Sequence, residues 1–203
     1  MNKIQKLLVD INTHLLYDEK PSCYFNKICN EPIFYKHPFK LLYKLKHTEQ
    51  SPKHHPEGSV WNHTMLVVDE AAIIKHKSKD ANVFMWAALL HDIGKADTTK
   101  NRNGKITSYN HDKVGANLAT VFLNEYTNNE KFIQAVACLI RWHMQILFVV
   151  NDLPFADIKK MKQQVDIKEV ALLGLCDRLG RLNKDREQEE RNIHIFIQKC
   201  AAQ

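Results

Sequence analysis

The chain has 203 residues, 44% of them hydrophobic and 26% charged, ordinary proportions for a globular protein with one generous core or two small ones. A net charge of +6 and a pI near 9.0 welcome phosphate-bearing partners without requiring them. The 5 cysteines are scattered, which argues against a disulfide framework or a cysteine zinc cluster and for a reduced, cytoplasmic chain.

At the amino end Ile4, Leu7, Leu8, Ile11 and Leu15 make one stripe, predicting an amphipathic helix and not a secretory signal. No segment approaches the roughly 20 apolar residues of a membrane span, so no membrane partner is expected. A short helical run is predicted over 39–45, after Pro38. The stretch "TEQSPKHHPEGSV" that follows, with two prolines and a glycine, reads as a loop. Helices are then predicted at about 62–77, 80–91, 112–126, 129–143 and 167–179, with Gly94 and Gly180 as terminators. Between the second and third of these, "DTTKNRNGKITSYN" at 97–110 reads as a long polar loop able to border a site. A last helix, "REQEERNIHIFIQKC", turns Ile193, Phe196 and Ile197 inward. The predicted fold is all-α, a single helical bundle. Residues 1–50 are read as a helical extension packing on a core of 51–203.

Several of these helices carry a polar residue on the apolar face. Phe84, Ala87, Ala88 and His91 share one stripe, as do Phe132, Val136, Leu139, Ile140 and His143. Val170, Leu173, Gly174 and Asp177 share another. His63 lies on the side of Val67 and Ile74, and His111 stands just before the stripe of Val114, Leu118, Val121 and Phe122. A lone histidine on such a face is most simply a satisfied core residue. An unpaired Asp177 among Leu173, Leu175 and Cys176 is harder to accommodate, since it would cost several kcal/mol unless paired, protonated or bound to a cation. Taken jointly, four histidines and two aspartates argue for a metal, with imidazole and carboxylate suiting Zn, Mn, Fe, Co or Ni.

The order His63, His91-Asp92, Asp177 resembles the HD-domain superfamily of metal-dependent phosphohydrolases. The stretches "HHPEGSVWNHTMLVVDEA", "ALLHDIGKADT", "NHDKVGANLA" and "LCDRLGR" resemble in particular the HD region of bacterial CCA-adding tRNA nucleotidyltransferases, over roughly Ser51 to Arg181. No recognisable nucleotidyltransferase head precedes Ser51, so CCA addition is not expected. The resemblance implies a metal held between helices by His63, His91, Asp92 and Asp177. His111 and His143 match the histidines of members that hold a second ion, with Asp92 bridging. It implies hydrolysis of a nucleotide or other small phosphate ester, by phosphomonoesterase or phosphodiesterase chemistry through a metal-activated water. The ions implied are one or two divalent cations, from Fe, Mn, Ni, Co, Mg or Zn. A di-iron oxygenase of the same superfamily, and a non-catalytic metal-stabilised module binding RNA or another partner, are the alternative readings.

Around that set, Asp92 and Lys95 are the catalytic candidates. Lys95 reads either as an ammonium for developing phosphate charge or as a solvated lysine at a helix end. Arg181 and His55 are the substrate-binding candidates. Arg178 is placed a quarter-turn away, at the surface. Trp61, Trp86 and Trp142 are assigned to packing around the site. The lysines Lys36, Lys40, Lys44 and Lys46 read more simply as a solvated helix side than as an RNA track.

Overall fold

A computed structural model describes residues 2–203. The Asn2 side chain accepts from Gln5 N at 2.9 Å and Gln5 Oε1 accepts from Asn2 N at 3.3 Å, a reciprocal cap that starts helix α1 (Lys3–Tyr17). This helix buries Leu8, Ile11 and Leu15, the predicted stripe. Then come α2 (Pro21–Ile28), α3 (Lys40–Tyr43) and α4 (Val60–Ile74), followed by α5 (Ala81–Leu90) and the single turn α6 (Lys95–Thr98). A hairpin of β1 (Thr99–Arg102) and β2 (Lys105–Ser108) leads into α7 (His111–Asn124). The rest is α8 (Glu130–Trp142), α9 (Gln145–Val150), α10 (Ile158–Gln164), α11 (Ile167–Leu179) and α12 (Arg186–Ala201). Six further helices begin on a side-chain oxygen that accepts a first-turn N–H: Ser59, Asp80, Asn129, Asp157, Asp166 and Asp185.

Helix α5 is the axis of the bundle. Every residue from Val83 to Leu90 is buried, so the helix is apolar all round, as only a central helix can be. It packs against α1, α4, α8 and α11. In α12 Phe196 is fully buried while Ile193 and Ile197 pack partly buried against the core.

The all-α expectation holds, with two corrections of detail. The predicted 97–110 loop is mostly the hairpin, paired from Thr99 with Ser108 to Arg102 with Lys105. Its turn is Asn103-Gly104, both with positive φ (51° and 78°), the turn that matches strand twist. Helices α2, α9 and α10 and the single turn α6 lie outside the predicted elements. A third correction concerns apolar length. Glu130–Val150 is long and apolar enough to cross a membrane, contrary to the expectation that no segment is. Just over half of it is buried inside the fold, as in a core helix, and it breaks between α8 and α9.

The first helices share the hydrophobic core of the rest. Phe25, Phe34, Phe39, Leu42 and Leu45 are buried in the cluster that holds Trp61 and Trp86. Each tryptophan finds an amide oxygen for its indole N–H. Trp86 donates to Asn12 and Trp61 to Asn26, both at 2.8 Å, and Trp142 donates to Gln164 at 3.0 Å.

Gly94 and Gly180 do not terminate helices through positive φ, which is −72° and −71° respectively. They permit close approach instead. A Cβ on Gly94 would sit 2.2 Å from His111 O and 2.5 Å from Gly115 N, and one on Gly180 would sit 2.4 Å from Val67 Cγ2. The corner after α5 is thereby pressed onto the start of α7, and the end of α11 onto α4.

Candidate metal centre

Five helices meet at one place. His91 caps the carboxyl end of α5 and Asp92 follows it, His143 caps α8, His111 opens α7, and His63 and Asp177 project from α4 and α11. The exposure of His63 and His91 is 0%, of Asp92 1% and of His143 2%. All six residues expected as ligands are brought together.

The histidines are oriented alike. Nδ1 of His91 donates to Ala88 O at 2.9 Å, that of His111 to Ser108 O at 2.7 Å, and that of His143 to Ile140 O at 2.6 Å. A carbonyl only accepts, so each Nδ1 carries the proton and each neutral ring keeps its lone pair on Nε2. His63 Nδ1 lies 3.0 Å from Glu57 Oε1, without the alignment of a full hydrogen bond.

Those Nε2 atoms converge on Asp92. One oxygen, Oδ2, lies 3.3 Å from His91 Nε2 and 3.7 Å from His63 Nε2. The other, Oδ1, lies 3.5 Å from His111 Nε2 and 3.9 Å from His143 Nε2. One carboxylate thus divides four imidazoles into two pairs. Asp177 Oδ1 joins the first pair at 3.0 Å from His63 Nε2.

This arrangement fits divalent cations. His91 Nε2 and both Asp92 oxygens are buried without an aligned hydrogen-bond partner. His111 Nε2 and His143 Nε2 stand 3.2 Å apart, and with both Nδ1 protonated two lone pairs face each other, which a cation between them relieves. The triads His63, His91, Asp92 and Asp92, His111, His143 each gather their donor atoms closely enough to hold an ion. These donor sets contain no cysteine, and burial pushes the pKa of the Cys176 thiol upward.

Lys95 is not solvated. Its Nζ lies 2.7 Å from Asp92 Oδ2 and donates to Gln50 Oε1 at 2.7 Å. Burial favours the neutral acid at Asp92, but Lys95 and the surrounding imidazoles hold it well below the usual carboxylate range. Asp177 is likewise held low against its burial by Arg181 and His63. Arg181, at the rim, reaches Asp177 Oδ2 at 3.4 Å, and its Nε is buried without a partner. His55 donates from Nδ1 to Glu57 Oε1 at 2.8 Å and packs edge-on to His63.

Other residues lie outside the set. His54 is exposed. Arg178 points away as expected but pairs with Glu189 of α12 instead of meeting solvent. Lys44 bridges Asp97 and Lys46 bonds Asn30, so two of the four lysines in the basic run have internal partners. Sequence reasoning missed the Asp112–Arg141 pair, which clamps the residue after His111 to the last turn of α8 before His143. It also missed Glu57.

These groups fix how the metal-free protein responds to acid. Burial lowers the pKa of His143, and that of His55, to about 4, and lowers that of His111. His63 moves the other way: burial opposes its charge, but Asp177 and Glu57 raise its pKa. The unfolded chain takes protons near 6.5 that three folded histidines refuse, so stability is full above that pH and falls as pH drops from about 6.5 toward 4. His63, its pKa raised on folding, works in the opposite direction. The chelator-treated protein should therefore melt progressively lower from pH 7 to pH 5. An unchanged or rising melting temperature would contradict this reading.

The family model described as HD domain matches residues 60–182. A Multifunctional CCA protein of Methylococcus capsulatus is 24% identical over 187 residues, covering 92% of this chain and 38% of that protein. One of Halorhodospira halophila is 35% identical over 97 residues, 47% of this chain and 21% of its own length. One of Aromatoleum aromaticum is 49% identical over 49 residues, 24% and 11%. The chain spans less than two fifths of the length of each of these curated relatives.

Proposed function

This chain belongs to the HD-domain family, and from that premise we propose that it is a metal-dependent phosphohydrolase acting on a nucleotide or another small phosphate ester. The observation that carries the reading is the division of four imidazoles between the two oxygens of one buried carboxylate. On this reading His63, His91, Asp92 and Asp177 hold one divalent ion and Asp92, His111 and His143 hold another. When bound, such ions lower the pKa of a coordinated water from about 15.7 toward about 7 and neutralise phosphoryl oxygens.

The chain's own residues would do the rest. Backbone carbonyls keep the protons of His91, His111 and His143 on Nδ1, leaving Nε2 free to ligate without a tautomer change. Gln50 and Asp92 fix the Lys95 ammonium, a preorganised positive charge beside the reacting group. At the rim the unpartnered Arg181 Nε is a donor for a non-bridging phosphate oxygen. His55, whose Nδ1–H donates to Glu57, offers Nε2 as an acceptor toward substrate hydroxyls. The surrounding apolar helices exclude water from the buried ligands, which strengthens every charge interaction there.

The test is metal analysis of freshly purified protein, followed by a panel of phosphomonoesters and phosphodiesters with the same ion added back. Release of phosphate or nucleotide that a chelator abolishes is expected. A stable two-iron content with oxygen consumption and no hydrolysis would replace this reading with an oxygenase. Inactivity across the panel with several ions would leave a module that keeps its metal for structure.

A further inference from the structure

Glu57 lies outside the ligand set, in the loop before α4, yet its side chain is only 2% exposed. A carboxylate buried to that degree needs compensating donors. Oε1 accepts from His55 Nδ1 at 2.8 Å and lies 3.0 Å from His63 Nδ1, and Oε2 accepts from the Leu182 backbone N–H at 3.3 Å. Leu182 sits just beyond the end of α11, the helix that supplies Asp177.

His63 needs such a partner more than the other histidines do. His91, His111 and His143 stand at helix ends, where a carbonyl three residues earlier in the chain takes their Nδ1 proton. His63 lies inside the first turns of α4, where its own N–H already occupies Ser59 O and the Thr64 hydroxyl takes Val60 O. Its Nδ1 therefore depends on a side chain from outside the helix. Gly58, with φ of +96°, turns the chain sharply between Glu57 and the start of α4, and Asn62 Nδ2 holds Glu57 O at 2.9 Å.

We infer that Glu57 is the positioning residue of the His63 half of the centre: it fixes the His63 ring with Nε2 toward the ion and ties that ring to the α11 end that carries Asp177. The inference rests on the metal reading given above. Carboxylate partners of this kind raise the basicity of a ligating imidazole and fix its orientation, and losing one typically weakens metal binding by about 10–100-fold. His55 donates to the same oxygen and packs edge-on to His63.

The test uses the full chain, Co²⁺ as the probe, and two variants, Glu57→Ala and Glu57→Gln. Gln keeps the shape and an acceptor for Leu182, so it preserves the fold if Ala does not. Chelator competition should show Co²⁺ bound about 10–100-fold more weakly by Glu57→Ala, with Glu57→Gln intermediate. The visible ligand-field spectrum of bound Co²⁺ should change in both variants, which a purely structural residue would leave alone. Affinities within twofold of the parent in a folded variant, with an unchanged spectrum, would overturn the role of Glu57 and leave the metal site standing. A parent chain that binds no Co²⁺, Mn²⁺ or Fe²⁺ would overturn the metal reading, and this inference with it.

Discussion

Replacing Asp92 with Asn should remove metal binding and hydrolysis together, the largest functional loss expected of any single substitution. Asn keeps the shape and volume of the side chain and deletes its charge. Asp92 is the one carboxylate facing both imidazole pairs. Losing an outer partner alone typically costs about 10–100-fold in metal affinity, so losing a shared inner ligand should cost more than about 100-fold. Chelator competition and phosphate-ester turnover in the presence of excess ion would measure the two losses. A second effect follows from Lys95, whose ammonium would stay buried without its 2.7 Å partner. Breaking one side of a buried ion pair costs about 3–5 kcal/mol. Adding Lys95→Met to the Asn variant should therefore recover stability in urea unfolding while metal binding stays lost. An Asn variant that retains its metal and its turnover would show that the centre lies elsewhere.

What the sequence allowed to be read divides along physical lines. The helices that deliver ligands are long and periodic, so the apolar runs ending at His91 and His143 could be read directly, and so could the carboxylate stranded among apolar residues at Asp177. The helices that escaped are short. In α10 only Ile158 and Met161 are buried, and in α2 only Pro21 and Phe25, too few to show a period. The β1–β2 hairpin did leave a signal, Asn103-Gly104, but the polar residues on either side hide the alternation that would have completed it.

Glu57 and Lys95 mark a different boundary. Nothing in their local sequence distinguishes a buried carboxylate or ammonium from a solvated one. Their meaning comes from partners distant in the chain: Gln50 for Lys95 and Leu182 for Glu57. The ligand set was legible because apolar helices must carry it, whereas Glu57 sits on a loop and Lys95 on a single turn, neither with any periodicity. In such a centre the outer partners are as much a part of the design as the ligands, and only the folded chain brings them into view.

Gly94→Ala should be the most damaging small change to the fold, and its sign makes it decisive. With φ of −72°, Ala can adopt the backbone conformation without strain. A compatible glycine-to-alanine exchange normally stabilises a protein by about 0.4–1 kcal/mol through the unfolded state. Here the new Cβ would lie 2.2 Å from His111 O, 2.5 Å from Gly115 N and 2.9 Å from Gly115 Cα. All three are backbone atoms of α7, so no side chain can swing away. The corner after α5 must then retreat from α7, at a cost at or above the about 1–3 kcal/mol of ordinary overpacking. That retreat separates His91 and Asp92 from His111, so metal affinity should fall as well, although Gly94 touches no ion. Gly115→Ala is the internal control: its Cβ would meet Ile140 Cγ2 at 3.3 Å and Gly94 N at 3.4 Å, contacts that a few tenths of an ångström relieve. Urea unfolding should place Gly94→Ala well below both the parent and Gly115→Ala. A Gly94→Ala variant at least as stable as the parent, with its metal affinity intact, would show that close approach of α5 and α7 is not what aligns the two halves of the centre.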